Sequence, residues 1–162
     1  MESCTEYLLE LWLESRTRFS SQLTNLQEQD LRKRLHPSGN SAGFLIRHIG
    51  DVELLFAKNV FGASDLKIQA KTVIDQKDSG LWANLPELIS YVQYSFDCLH
   101  HIITSHQDAD WSAIVTTKEF GSRTKAQALG RISSHTAYHA GQLAIILKYG
   151  QHPQVQHPGA VS

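Results

Sequence analysis

Two histidines four residues apart on a helix share one face, so Ser134-His135-Thr136-Ala137-Tyr138-His139-Ala140-Gly141-Gln142 stacks one imidazole above another. Ile132, Leu143 and Ile146 continue the same face, which makes it the buried one. An imidazole where a helical protein usually places Leu or Ile either bonds a carbonyl or a water, or gives its lone pair to a metal. Spacing alone does not decide, since 9 histidines in 162 residues yield about half of one such pair by chance. His48 adds weight. It lies between Leu45 and Val52 on a second apolar stripe, and it faces the pair if the two segments are neighbours. Taken alone it reads as a core histidine bonded to a carbonyl or to solvent. Taken with His135 and His139 it completes three imidazoles with coordination positions left open, the ligand set of a catalytic rather than a closed structural ion. Such an ion lowers the pKa of a bound water or thiol, or polarises a substrate oxygen.

Asp51 and Gln142 each stand three residues beyond one of these histidines, at the spacing of a supporting hydrogen bond. The competing reading is a polar residue at the stripe's edge. Di-iron chemistry is a poor fit, because none of the eight glutamates is followed by His three residues on. Cys98 with His101 has metal-ligand spacing but lies off the dry stripe, and His100 and His101 are expected at the surface. His106 falls at a helix end, where an imidazolium suits the dipole. His36 belongs to a loop, and His152 and His157 to the tail.

These side chains need helices to hold them, and apolar residues recur at helical spacing in four long stretches. The first covers about residues 3–27, with Leu8, Trp12, Phe19, Leu23 and Leu26 on one side. The second covers about 40–61, where Leu45, Ile49, Val52, Phe56 and Val60 form a face. The third starts at Asn84-Leu85-Pro86-Glu87, a side-chain cap followed by a first-turn proline and an acid. The fourth opens on the capping box Thr124-Lys125-Ala126-Gln127 and closes at Lys148-Tyr149-Gly150, where the glycine reads as a C′ residue. Two connections, 62–83 and 107–123, are long for a bundle. A short helix is expected near 66–73, with extended pieces at 112–116 and 118–121. The fold class is therefore all-α, a four-helix bundle with long inter-helix loops over residues 1–150, followed by an extended or disordered tail at 151–162.

Composition narrows the function. A hydrophobic content of 41% and a net charge of −1 describe an ordinary globule with no basic field for nucleic acid. The dense basic run Arg32-Lys33-Arg34 reads as a solvated loop or helix end. No segment approaches the roughly 20 apolar residues that span a bilayer. The acidic start of the chain is unlike a secretory leader, and Cys4 and Cys98 make no disulfide framework, so a reducing cytoplasmic setting is expected.

The residues Gly43-Phe44-Leu45-Ile46-Arg47-His48-Ile49-Gly50-Asp51-Val52-Glu53, with the pattern H-x-x-x-H-x-G-Q from His135 to Gln142, resemble the DinB superfamily of metal-binding four-helix bundles. The likeness in helix order and length covers nearly the whole chain apart from the tail. It implies that His48, His135 and His139 are the ligands of a divalent zinc, nickel or iron ion. Many relatives carry a further His where this chain has Tyr138, which leaves the ligand set intact. The resemblance also implies frequent homodimers. In members of known activity it implies transfer or isomerisation with a low-molecular-weight thiol such as bacillithiol or mycothiol.

Three functions follow for comparison. The first is a metal-dependent enzyme, a thiol S-transferase or a hydrolase, acting on a small molecule. The second is a non-catalytic metal-binding or stress-associated protein, and a third, metal-free interaction module would make three inward histidines a coincidence. A homodimer is expected because Leu8, Leu9, Leu11, Trp12 and Leu13 carry more apolar surface than one stripe needs, unless the long 62–83 loop covers it.

Overall fold

The structure is a computed structural model that describes residues 3–37 and 39–153. Four long helices carry it, each started by a side chain that takes up an orphan backbone N–H. Ser3 and Glu6 form a reciprocal capping box at α1 (Cys4–Leu23). Ser41 Oγ accepts from the Phe44 amide, 3.1 Å away, at α2 (Ala42–Asn59). After the short α3 (Lys71–Asp75), α4 (Leu85–Thr104) begins on Asn84 with Pro86 in its first turn. Thr124 and Gln127 box the start of α5 (Lys125–Tyr149). The all-α bundle is thus present, with α1 and α2 each packed on both α4 and α5. Consecutive helices α1 and α2 lie diagonally, and α2 meets α5, as the histidine argument requires.

The core has two centres. One gathers Trp12, Phe56, Phe61, Leu99, Ile103 and Trp111, and the other Phe19, Leu31, Phe44, Ile49, Val92 and Leu143. Trp12 is 0% exposed, and Leu8, Leu9 and Leu13 are partly buried against the core centre to which it belongs. Of the residues on which a dimer interface was expected, only Leu11 is left largely exposed.

The connections differ in detail from the sequence-based expectation. The short helix falls at Lys71–Asp75, overlapping only the end of 66–73, because residues 62–66 turn back and the Leu66 carbonyl accepts from Lys58 Nζ. Extended pairing occurs at β1 (Ile114–Thr117) and β2 (Gly121–Thr124), with Thr117 opposite Gly121. The expected second strand at 118–121 is mostly the hairpin turn. Gly121 supplies the positive φ of 69° that such a three-residue loop needs, and Phe120 leaves the turn to stack on Phe56. Gly150 is no left-handed C′ residue: its φ is −67°, and its lack of a Cβ matters because one would strike the Ile146 carbonyl.

Two 3₁₀ turns went unread in the sequence, and they repeat one device. In Gln27-Glu28-Gln29-Asp30-Leu31 and Gln107-Asp108-Ala109-Asp110-Trp111 the fourth residue, Asp30 or Asp110, accepts from the backbone amide of the first, and Leu31 and Trp111 are buried in the core. Gln151 pairs its backbone with Arg34, so the expected tail starts as an ordered bridge. Its remainder from 154 on, including His157, lies outside the described residues. Among the described residues no helix is long and apolar enough to cross a membrane.

Candidate metal centre

His48 projects from α2 on the flank of a face whose members Leu45, Ile49, Val52 and Phe56 are buried. His135 and His139 project from α5, flanking the buried Ile132, Thr136, Ala140 and Leu143. Because α2 packs on α5, the three rings meet, and one ligand atom from each lies within 4.8 Å of the others. Ring centroids are 5.2 Å apart for His48 and His135, 4.9 Å for His48 and His139, and 4.5 Å for the α5 pair. All three side chains are half-buried, so the cluster is desolvated without being sealed.

Burial lowers the pKa of each ring. His48 falls to about 4, chiefly by desolvation and then by His139, with Asp51 opposing. His135 falls to about 3, again by desolvation first and then by His139, His48 and Arg131. Desolvation also lowers His139, although its bond to Gln142 works the other way. All three are therefore neutral near pH 7, each with one lone pair available.

Outer hydrogen bonds orient two of those rings. His139 Nδ1 lies 2.7 Å from Gln142 Oε1, as the i,i+3 spacing foretold, and this leaves Nε2 free. His48 Nδ1 lies 3.1 Å from Thr72 Oγ1, leaving its own Nε2 free. That atom is 3.3 Å from His135 Nε2. Two nitrogens bound tetrahedrally at the usual zinc distance are themselves about 3.3 Å apart, so this pair fits a shared ion. His135 Nδ1 is buried and has no hydrogen-bond partner among the described residues.

Asp51 supports the site in a way the spacing did not reveal. It makes no bond to His48. Its Oδ2 instead accepts from the Thr72 hydroxyl at 2.7 Å and the Thr72 amide at 3.0 Å. Its Oδ1 accepts from Arg47 Nε at 2.9 Å and from the Tyr91 hydroxyl. Burial, then the Asp51 bond, holds the Tyr91 phenol well above its ordinary pKa, and the Arg47 guanidinium lies over the Tyr91 ring. Thr72 and Tyr91 carried no sequence signal, one sitting in a connection and the other on the edge of the α4 stripe. A second buried group was also missed, although its signal was present. Arg16 lies on the Trp12–Phe19 stripe and Glu53 follows Val52, and they pair inside the bundle at 2.6 Å.

The other histidines lie elsewhere. His101 is exposed as expected, whereas His100 is half-buried beside the stacked rings of Trp12 and Phe96. Those aromatic rings draw it in. His106 lies at the C-terminal end of α4, as expected. It is buried, with Nδ1 2.8 Å from the Ile102 carbonyl and Nε2 2.8 Å from Lys125 Nζ. Cys98 and His101 join no metal-ligating group among the described residues.

A family model of the DinB superfamily matches residues 11–143, a span that includes all three clustered histidines. No curated protein matches the chain.

Proposed function

The chain belongs to the DinB superfamily, and on that premise we propose that it is a divalent-metal-dependent enzyme acting on a small molecule through thiol transfer. His48, His135 and His139 would hold the ion, which is zinc, nickel or iron. The observation that carries this reading is the convergence of three neutral imidazoles that are half-buried, so that a thiol or water can reach the open positions. When bound, a divalent ion supplies Lewis acidity that makes a thiol or water nucleophilic at neutral pH. The chain's own contribution is to keep the rings uncharged and oriented. Thr72 and Gln142 fix His48 and His139, and Phe44 stacks on His48 with centroids 5.9 Å apart. The proposed enzyme is a cytoplasmic homodimer.

A non-catalytic metal-binding role is the second reading, favoured by where the larger clefts lie. One of about 600 Å³ follows α1 along Tyr7, Glu10 and Leu11, and another of about 480 Å³ lies along α4 at Pro86, Tyr91 and Tyr94. Neither is lined by a clustered histidine.

Cobalt(II) separates the two readings, because a thiolate ligand adds an intense charge-transfer band. The wild-type protein is expected to take about one divalent ion per chain and to show that band on titration with physiological thiols. Replacing His48 should abolish the band. Unchanged metal content after alanine at both His135 and His139 refutes the site. Cobalt binding with no response to any of a panel of thiols refutes thiol transfer and leaves hydrolysis or the non-catalytic role.

A further inference from the structure

The supporting shell of the cluster reaches beyond the two helices that bear the histidines. The five-residue α3 is too short to persist alone. It is held on α2 by Asp51, whose Oδ2 takes both the amide and the hydroxyl of Thr72. Asp51 is 0% exposed and Thr72 3%, so this contact is dry. A carboxylate that deep is costly unless its acceptors are filled, and here four donors fill them: the Thr72 amide and hydroxyl, Arg47 and Tyr91.

Proton counting gives this arrangement a consequence. A threonine hydroxyl has one hydrogen. Thr72 commits it to Asp51 Oδ2, a group that accepts only, so Thr72 Oγ1 can meet His48 Nδ1 only as an acceptor. His48 Nδ1 must then carry the ring's proton, and His48 Nε2, which faces His135, must carry the lone pair. Gln142 gives His139 no such certainty, because its amide offers a donor and an acceptor that exchange by a half-turn.

Resting on the metal-site reading above, we propose that Thr72 is a positioning residue for the ligand His48: oriented by Asp51, it fixes the Nδ1–H tautomer and so aims Nε2 at the ion. The α2–α4 connection is thereby part of the metal site. Asp51 acts on His48 through this hydroxyl rather than by touching the ring.

The experiment uses the full chain and three variants. Long-range ¹H–¹⁵N NMR of metal-free protein reads the His48 tautomer, and competition against a chromophoric chelator reads zinc affinity. Wild type should show Nδ1–H at His48. Thr72→Val keeps the volume and removes the acceptor, so it should lose that tautomer and bind zinc about 10–100-fold more weakly. Thr72→Ser should restore both readouts, which loss of packing alone would not explain. Asp51→Asn frees the hydroxyl to donate, and should shift His48 toward Nε2–H while Thr72 is still present. An Nε2–H tautomer in wild type overturns the proposal. So does a valine variant that keeps the tautomer and binds zinc within about threefold of wild type, or a serine variant that behaves like valine. Should the valine variant fail to fold, the serine and asparagine variants still decide. Wild type that shows the Nδ1–H tautomer but binds no zinc refutes the metal reading and leaves the relay standing.

Discussion

Arg16 and Glu53 cross the centre of the bundle, and separating them should be the most expensive single change available. Glu53 is 0% exposed and Arg16 7%. Arg16 Nε and Nη2 meet the two Glu53 oxygens at 2.6 and 3.2 Å, while Nη2 also donates to the Val92 carbonyl at 3.1 Å. Ser95 Oγ adds a third contact to Glu53, at 2.6 Å. Arg16→Met removes both arginine contacts and leaves a desolvated carboxylate with one hydroxyl donor, which should cost about 3–5 kcal/mol. The double variant Arg16→Met/Glu53→Met removes the stranded charge as well. Phe19 and Phe96 already flank the guanidinium at 5.2 and 4.8 Å, so a thioether finds apolar neighbours. Ser95 keeps an acceptor, the Val92 carbonyl 3.0 Å away. The double variant should therefore recover about 2 kcal/mol or more of the loss and approach wild-type stability. Urea unfolding at pH 7 measures this, with an unchanged m-value as the check that the denatured state is the same. The reasoning fails if Arg16→Met costs less than about 1 kcal/mol, the range of a solvated surface pair. It also fails if the two single losses simply add.

Stability of the metal-free protein should fall with acid. The folded-state pKa values of His48 and His135, about 4 and about 3, lie below the unfolded value near 6.5, so the unfolded chain binds more protons between these limits. The histidine contribution is fully present above about pH 6.5 and is lost as pH falls toward 3. Discounted for the partial exposure of the rings, the loss from pH 7 to pH 5 is on the order of 2 kcal/mol. An unchanged urea midpoint across that interval contradicts the burial argument. Two glycines on the histidine-bearing helices should behave oppositely toward alanine. At Gly43 a Cβ would overlap the Trp82 carbonyl, both being backbone-fixed, so Gly43→Ala should cost about 3 kcal/mol or more. At Gly130 a Cβ meets nothing within 4 Å, so Gly130→Ala should stabilise by about 0.5–1 kcal/mol and raise Tm by about 1–4 °C.

What was legible in the sequence is local. Asn84 at α4 and the Thr124–Gln127 box at α5 mark their helix starts because capping acts within three residues. The His135/His139 pair and His48 stood out because an imidazole beside an apolar stripe breaks a period of 3.6. Gln142 was legible for the same reason, its bond to His139 spanning one helical turn. Amphipathic stripes state that a face is buried, but not against which helix. That α2 meets α5 while α1 lies diagonal to α2 was decided by packing the whole bundle. Thr72 reaches His48 across 24 residues, and Arg16 reaches Glu53 across 37. A sequence pattern records which side chains lie on a face. Which oxygen ends beside which imidazole nitrogen depends on how the connections fold back, and at His48 that tertiary choice decides where the proton resides.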